Sequence, residues 1–143
     1  MKICIAYSQR LGDIIRILPI ARHFADRGHE VRIECLPRYH EFFDCVSYCR
    51  PSVLAERGAQ NFQTVLDLEI WPNRYDEFIR SGQTWLDFVY GLSPELASIR
   101  RLPVFDRIDE MPSLADYGLP ADVAIFSPFG YSQGKRYPLQ LLA

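Results

Sequence analysis

Residues 2–36 read KICIAYSQRLGDIIRILPIARHFADRGHEVRIECL, and the hydropathy pattern changes twice within this segment. Residues 2–7 are almost continuously apolar, which is typical of a parallel strand covered on both faces. Residues 14–25 place apolar side chains three and four positions apart, as an amphipathic helix does, and residues 30–36 alternate with the period of a strand. Strand, helix and strand form a βαβ unit. We therefore predict an α/β fold, a Rossmann-like parallel sheet flanked by helices.

The predicted helix has a suitable residue at each end. Asp13 precedes the apolar pattern, and aspartate is a favoured N-cap because its carboxylate accepts hydrogen bonds from exposed backbone N–H groups. Gly28 follows the pattern, at a position where a left-handed backbone costs glycine little. We therefore expect the helix to begin at Asp13 as its N-cap and to stop at Gly28.

The rest of the chain predicts further elements of the same kind. Residues 64–68 have the composition of a buried strand, and residues 74–90 that of one interrupted helix or two short ones. The prolines between residues 94 and 120 indicate a connector or hinge. Shorter patterns predict a helix at 39–45, a strand at 46–49, helical turns at 52–58 and a strand at 122–126.

Composition and charge exclude several classes of protein. The 143 residues are 48% apolar and 24% charged, as in an ordinary globular domain rather than a disordered or collagen-like chain. The formal net charge of −2 implies no bulk attraction to nucleic acid, so we expect no nucleic-acid partner. No segment approaches the about 18 apolar residues of a membrane span, and the N-terminus has no signal-peptide pattern. A cytoplasmic location is therefore expected.

The four cysteines are predicted to be reduced structural thiols. Cys4 and Cys35 fall within predicted strands, and Cys45 and Cys49 have no His or Cys partner at zinc-ligand spacing. We therefore expect no metal or redox site.

Two loops after predicted strands are the candidates for chemistry, because ligands of open α/β sheets bind beyond the carboxyl ends of the strands. The loop at 8–13 ends in Gly12-Asp13, where the carboxylate is either a general base for a substrate hydroxyl or an ordinary N-cap. The loop at 127–134 leads into Lys135 and Arg136. Its glycines, the lysine and a Pro-started helix suit a diphosphate, and a solvated pair of cations is the alternative.

Residues 12–21 (GDIIRILPIA) and 124–139 (AIFSPFGYSQGKRYPL) together resemble segments of the heptosyltransferase-like glycosyltransferases of family 9. The first is similar to the family's opening, in which Gly-Asp follows a strand and precedes aliphatic residues and a proline inside the first helix. The second is similar to the strand, loop and Lys/Arg-Trp-Pro segment that opens the family's second domain, with Tyr137 in place of the tryptophan.

This resemblance implies the N-terminal half of a GT-B glycosyltransferase, in which two Rossmann-like domains enclose a cleft. Residues 1–119 would form the acceptor-side domain with a Pro-rich connector at its end. Residues 120–143 would begin the donor domain, with the missing part supplied in cis or in trans. The implied reaction transfers a hexosyl or heptosyl group from a nucleotide-sugar to a saccharide or lipid-linked acceptor without a metal or other cofactor. The fragment alone is expected to be inactive, and a lipid-linked acceptor would allow peripheral membrane association.

The resemblance also implies roles for particular residues. Asp13 matches the family's base for the acceptor hydroxyl. Lys135 matches the contact to the donor diphosphate, and Gly130 and Arg136 lie in the same segment. Three arginines are candidates for binding an anionic acceptor, the alternative being ordinary surface side chains: Arg10, Arg16 and Arg74.

Two other functions stay open. Residues 18–31 also resemble the proline, aliphatic helix and Arg-Gly-His-Glu-Val stretch of macrolide- and lipid-type GT-B transferases, which place a histidine in the first loop. A stand-alone Rossmann-like domain would instead be a non-catalytic binding or assembly module.

Overall fold

The described part of the chain contains a four-stranded parallel sheet. The computed structural model describes residues 1–7, 10–53, 61–107 and 114–118. Its strands are β1 (Lys2–Ala6), β2 (Glu30–Glu34), β3 (Arg50–Ser52) and β4 (Thr64–Asp67), in the spatial order β3-β2-β1-β4. All three pairings are parallel, and β1 is paired on both edges, with β2 and with β4. The predicted α/β, Rossmann-like fold is confirmed.

Four α-helices and two 3-10 helices accompany the sheet in the described part of the chain. The α-helices are α1 (Leu11–Ala25), α2 (Tyr75–Ser81), α3 (Trp85–Tyr90) and α4 (Pro94–Ala97), and the 3-10 helices are Pro37–Cys45 and Leu114–Tyr117. None of these helices is long and apolar enough to cross a membrane.

The chain divides into two compact units, Met1–Met111 and Pro112–Ala143. The sheet and all four α-helices belong to the first unit. The predicted donor-domain segment, residues 120–143, lies outside the described residues.

The core forms where β1 meets α1. Ile3 and Ile5 of β1 are buried, and Ile14, Ile17 and Leu18 present the apolar face of α1 to the same core. The three- and four-residue spacing on the helix and the unbroken apolar run on the strand therefore have one cause, which is burial against each other.

The two ends of α1 differ in how well the sequence predicts them. The helix begins at Leu11, two residues before the predicted N-cap, because the Arg10 carbonyl accepts from the backbone N–H groups of Asp13 (3.2 Å) and Ile14 (3.0 Å). Asp13 is therefore in the first turn and is not the cap. The C-terminal prediction is confirmed: Gly28 has a φ of +80°, and the bonds Gly28 N–H to Ala25 O and His29 N–H to Phe24 O close the helix.

Later elements show where local patterns mislead. The predicted strand at 46–49 is wrong: Val46 caps the preceding 3-10 helix, and only Arg50–Ser52 pairs with β2. β4 is not buried as predicted, since Val65 is 44% exposed and the described residues put no strand on its outer edge. Residues 74–90 do form two short helices, separated at Gly82, whose φ is +63°.

The first part of the predicted connector packs against the domain. Leu96 is buried, and the hydroxyl of Tyr48 donates to the Val104 carbonyl at 2.6 Å. The Asp106 carboxylate accepts from the Ser47 backbone N–H at 2.7 Å. Residues 94–107 are therefore part of the first unit rather than a bare linker.

All four cysteines are free and buried, as predicted. Burial raises the pKa of the Cys35 thiol to about 11 and that of Cys49 to about 12. These thiols stay protonated at neutral pH, which makes them unreactive packing groups.

The two ends of α1 yield a matched pair of stability predictions. Gly28→Ala should lower the free energy of unfolding by about 1–2 kcal/mol, because an L side chain is strained at positive φ. Gly12→Ala should raise it, by up to about 1 kcal/mol, because Gly12 lies inside the helix and an added Cβ meets no described atom within 4 Å. Urea denaturation followed by circular dichroism measures both, and equal shifts of the same sign would contradict this account.

Candidate functional site

The strand order locates the site. From β1 the chain proceeds to β2 and β3 on one side, and then returns to place β4 on the other side of β1. The order therefore reverses between β1 and β4. In open parallel sheets, ligands bind at such a reversal, beyond the carboxyl ends of the two strands. These ends are Ala6 and Asp67, which are paired with each other.

A cavity of about 180 Å³ lies at this position. Its walls come from the loop after β1, the first turn of α1, the loop after β4, and helices α2 and α3. The segment after β1 contributes Tyr7, Arg10 and Asp13, and the segment after β4 contributes Glu69, Ile70 and Trp71. Tyr75, Phe78 and Trp85 complete the lining.

The Asp13 carboxylate is held by a buried tyrosine. The hydroxyl of Tyr7, a residue only 5% exposed, donates to Asp13 Oδ2 at 2.8 Å. Burial, and secondarily this hydrogen bond, raise the pKa of the Tyr7 hydroxyl far above its usual value. Tyr7 therefore remains a hydrogen-bond donor at any physiological pH, and the bond connects the end of β1 to the start of α1.

The Tyr7 hydroxyl occupies one of the two oxygens of the Asp13 carboxylate. Within the described residues, the Tyr7 hydroxyl is the single hydrogen-bond partner of the Asp13 side chain. The same side chain lines the cavity. A hydroxyl group that enters the cavity can therefore donate to Oδ1 while Tyr7 holds Oδ2.

Arg74 fixes the loop that follows β4. Its Nη1 donates to the carbonyls of Asp67 (2.7 Å) and Glu69 (3.2 Å) and lies 3.9 Å from the Asp67 carboxylate. The backbone N–H of Glu69 in turn donates to Asp67 Oδ1 at 3.0 Å. These bonds hold Glu69 and Trp71 at the cavity rim.

Aromatic rings form much of the cavity wall. Trp71 and Tyr75 pack edge to face with their ring centroids 5.0 Å apart, and Trp85 packs in the same way on Tyr7 at 5.5 Å. Trp71 and Tyr75 are 58% and 42% exposed, whereas Tyr7 is buried. The wall is therefore buried at its base and open to solvent at its rim.

The structure separates the three candidate arginines. Arg10 lies at the cavity beside Asp13. Arg74 uses its guanidinium on loop carbonyls and does not line the cavity. Arg16 is exposed on α1 away from the cavity, and its carbonyl accepts from the buried Tyr90 hydroxyl at 2.9 Å. The predicted diphosphate residues Gly130, Lys135 and Arg136 lie outside the described residues.

Sequence reasoning missed the cavity residues contributed by other segments. The sequence pattern identifies Tyr7 only as the end of an apolar strand and assigns no role in a site to Glu69 or Trp71. The available signal was the rule that residues following adjacent parallel strands meet at one edge. Applying it to Glu69 and Trp71 requires the knowledge that β4 neighbours β1, which periodicity does not supply.

Comparisons with known proteins identify no relative: no family model, curated protein or solved structure matches the chain. Among the described residues, no group of three or more His, Cys, Asp or Glu side chains is placed to hold a metal ion.

The Tyr7–Asp13 bond predicts how stability depends on alkaline pH. In the unfolded chain tyrosine ionises near pH 10, whereas Tyr7 in the folded protein stays protonated because its pKa is raised. The contribution of Tyr7 to the free energy of unfolding is therefore complete below about pH 10. Above that pH it decreases by about 1.4 kcal/mol per pH unit. Tyr7→Phe removes this contribution. Between pH 9 and pH 11, the variant should therefore lose about 1.4 kcal/mol less of its free energy of unfolding than the natural chain does. Tyr90, whose pKa burial raises to about 12, supplies a similar loss in both proteins.

Urea unfolding of the two proteins at pH 9 and pH 11 measures the difference. At neutral pH the same variant should be less stable than the natural chain, because it leaves a carboxylate oxygen without its buried donor. Equal alkaline losses in the two proteins would mean that Tyr7 ionises normally.

Proposed function

We propose that the chain is the acceptor-side domain of a glycosyltransferase resembling family 9, with Asp13 as the general base. The observation that supports this most directly is the position of Asp13. It lies at the switch point of a Rossmann-like sheet and lines a cavity. Tyr7 binds one of its carboxylate oxygens, and no other described residue hydrogen-bonds to this side chain. The resemblance of residues 12–21 assigns the same role to the same residue.

The proposed reaction needs one proton transfer in this domain. The acceptor hydroxyl donates its proton to Asp13 Oδ1 as its oxygen forms a bond to the anomeric carbon of the donor sugar. The bond between that carbon and the diphosphate oxygen breaks, and its electron pair leaves with the nucleoside diphosphate. Tyr7 keeps the carboxylate in one orientation through the reaction, because its hydroxyl stays protonated.

The size of the cavity favours the acceptor rather than the donor. At about 180 Å³ it is smaller than the roughly 300–1,000 Å³ pockets that enclose drug-sized ligands. This volume is closer to that of a single sugar ring than to that of a complete nucleotide-sugar. We therefore assign the donor to the second domain, where Gly130, Lys135 and Arg136 would contact its diphosphate, in cis or in trans.

Gly12 offers a second argument for a ligand beside Asp13. An added Cβ at Gly12 meets no atom of the described residues within 4 Å, and helix α1 does not require a glycine there. Gly12 directly precedes the proposed base in the sequence, in the same first turn of α1. A glycine at this position lets an acceptor approach the first turn of α1 closely.

The thiols are consistent with a cytoplasmic location. Four free, buried cysteines are typical of a chain that folds in a reducing compartment. Nucleotide-sugars as donors would place the reaction in the same compartment.

Replacement of the proposed base tests the function directly. With the donor domain present in cis or in trans, Asp13→Asn should lower kcat for sugar transfer by a factor of about 100 to 10,000, since the amide cannot take the acceptor proton. The donor KM should stay near its original value, because Asp13 does not contact the diphosphate in this scheme. Initial rates measured by release of nucleoside diphosphate give both constants.

Asp26→Asn, at the C-cap of α1, is the matched control. The exposed Asp26 pairs with Arg22 at 2.7 Å and does not line the cavity, so this variant should transfer sugar normally. If Asp13→Asn were as active as Asp26→Asn while both fold normally, the base assignment would be wrong.

A further inference from the structure

We infer that the cavity at the switch point binds an uncharged sugar ring, with the Trp71–Tyr75 pair as its stacking surface and the carboxylates of Asp13 and Glu69 as acceptors for its hydroxyl groups. That the bound ring is the acceptor of the transferred sugar rests on the proposed function. The inference narrows the acceptor from any saccharide or lipid-linked hydroxyl to a neutral ring.

The balance of charge in the cavity opposes an anionic acceptor. Among the described residues, the charged groups that line it are one cation, Arg10, and two carboxylates, Asp13 and Glu69. Proteins usually hold phosphates and carboxylates with several cations or with a helix N-terminus. Here the first turn of α1 already carries Asp13, whose charge offsets the positive end of the helix.

The other candidate cations do not change this balance. Arg74 donates to the carbonyls of Asp67 and Glu69 and so is committed to the loop. Arg16 is exposed on α1 and does not line the cavity. An anionic group in the cavity would therefore share it with two carboxylates and, among the described lining residues, with one cation, Arg10.

The aromatic wall favours a sugar over a plain lipid chain. Trp71 is 58% exposed although it is a large apolar side chain, and it is fixed by the edge-to-face contact with Tyr75. A pyranose has apolar C–H faces and a rim of hydroxyl groups, which match an aromatic surface with carboxylates beside it. A hydrocarbon chain would instead desolvate Asp13 and Glu69 without providing them with a donor.

Both tryptophans of the chain, Trp71 and Trp85, line this cavity. Intrinsic tryptophan fluorescence of the full chain therefore reports on this site directly. This makes the inference testable without a known donor and without the second domain.

The experiment titrates the full chain with three neutral probes: methyl β-D-glucopyranoside, methyl β-D-galactopyranoside and methyl α-D-mannopyranoside. Glucose 6-phosphate and galacturonate are the anionic probes. At least one neutral glycoside should change the tryptophan emission saturably. Both anionic sugars should bind at least about tenfold more weakly than the best neutral probe, which corresponds to about 1.4 kcal/mol. Absence of saturable binding by all three neutral probes, or an anionic sugar that binds as tightly as the best of them, would overturn the inference.

A pair of variants tests the stacking surface. Trp71→Ala removes it and leaves Trp85 as the reporter, so the affinity for the neutral probe should fall at least about tenfold. Ile79→Ala is the control, because Ile79 is 56% exposed on α2 but does not line the cavity, and its affinity should be unchanged. Trp71→Phe, which keeps an aromatic ring, should recover part of the loss. If Trp71→Ala bound the probe as well as Ile79→Ala does, the stacking role would be excluded.

The sugar-binding test and the Asp13→Asn transfer test can fail independently of each other. Neutral sugar binding together with normal transfer by Asp13→Asn would uphold this site and reject the proposed base. Loss of transfer in Asp13→Asn without binding of any neutral probe would uphold the base and reject this acceptor class.

Discussion

The pairing of β1 on both of its edges is the constraint on which the rest of the molecule depends. Because β2 and β4 both pair with it, β1 is central and nearly all of its side chains are buried. Its carboxyl end consequently opens at the middle of the sheet edge, next to the end of β4. Residues that are distant in sequence, Asp13 and Glu69, are thereby brought to one cavity.

The Tyr7–Asp13 hydrogen bond converts this arrangement into a fixed geometry. Tyr7 is the first residue after β1, and Asp13 is in the first turn of α1, so the bond joins the two elements across the intervening loop. The packing of Trp85 on the Tyr7 ring extends the connection to α3. A carboxylate held in this way loses little rotamer freedom on binding a substrate, which is the condition for an efficient general base.

The sequence predicts the parts of the fold that are set by local periodicity. The hydropathy patterns of residues 2–36 predict β1, α1 and β2. The conformational freedom of glycine predicts that α1 ends at Gly28. The start of α1 was not predictable from residue preference, because the backbone of Arg10 caps the helix without a side-chain bond. The position of β3 and the exposure of β4 depend on which strands become neighbours, and no local pattern encodes that order.

The same distinction explains why the cavity differs from the one expected from residue types. Arginine suggests anion binding, but the geometry commits Arg74 to backbone carbonyls and places Arg10 in a cavity that two carboxylates also line. A diphosphate placed near Asp13 and Glu69 would be repelled strongly, since the attraction of one cation cannot offset two anions at similar distance in a partly buried site. A carboxylate base and a diphosphate leaving group therefore need separate surroundings. Under the proposed function, this repulsion is a physical reason to divide the acceptor and donor sites between two domains.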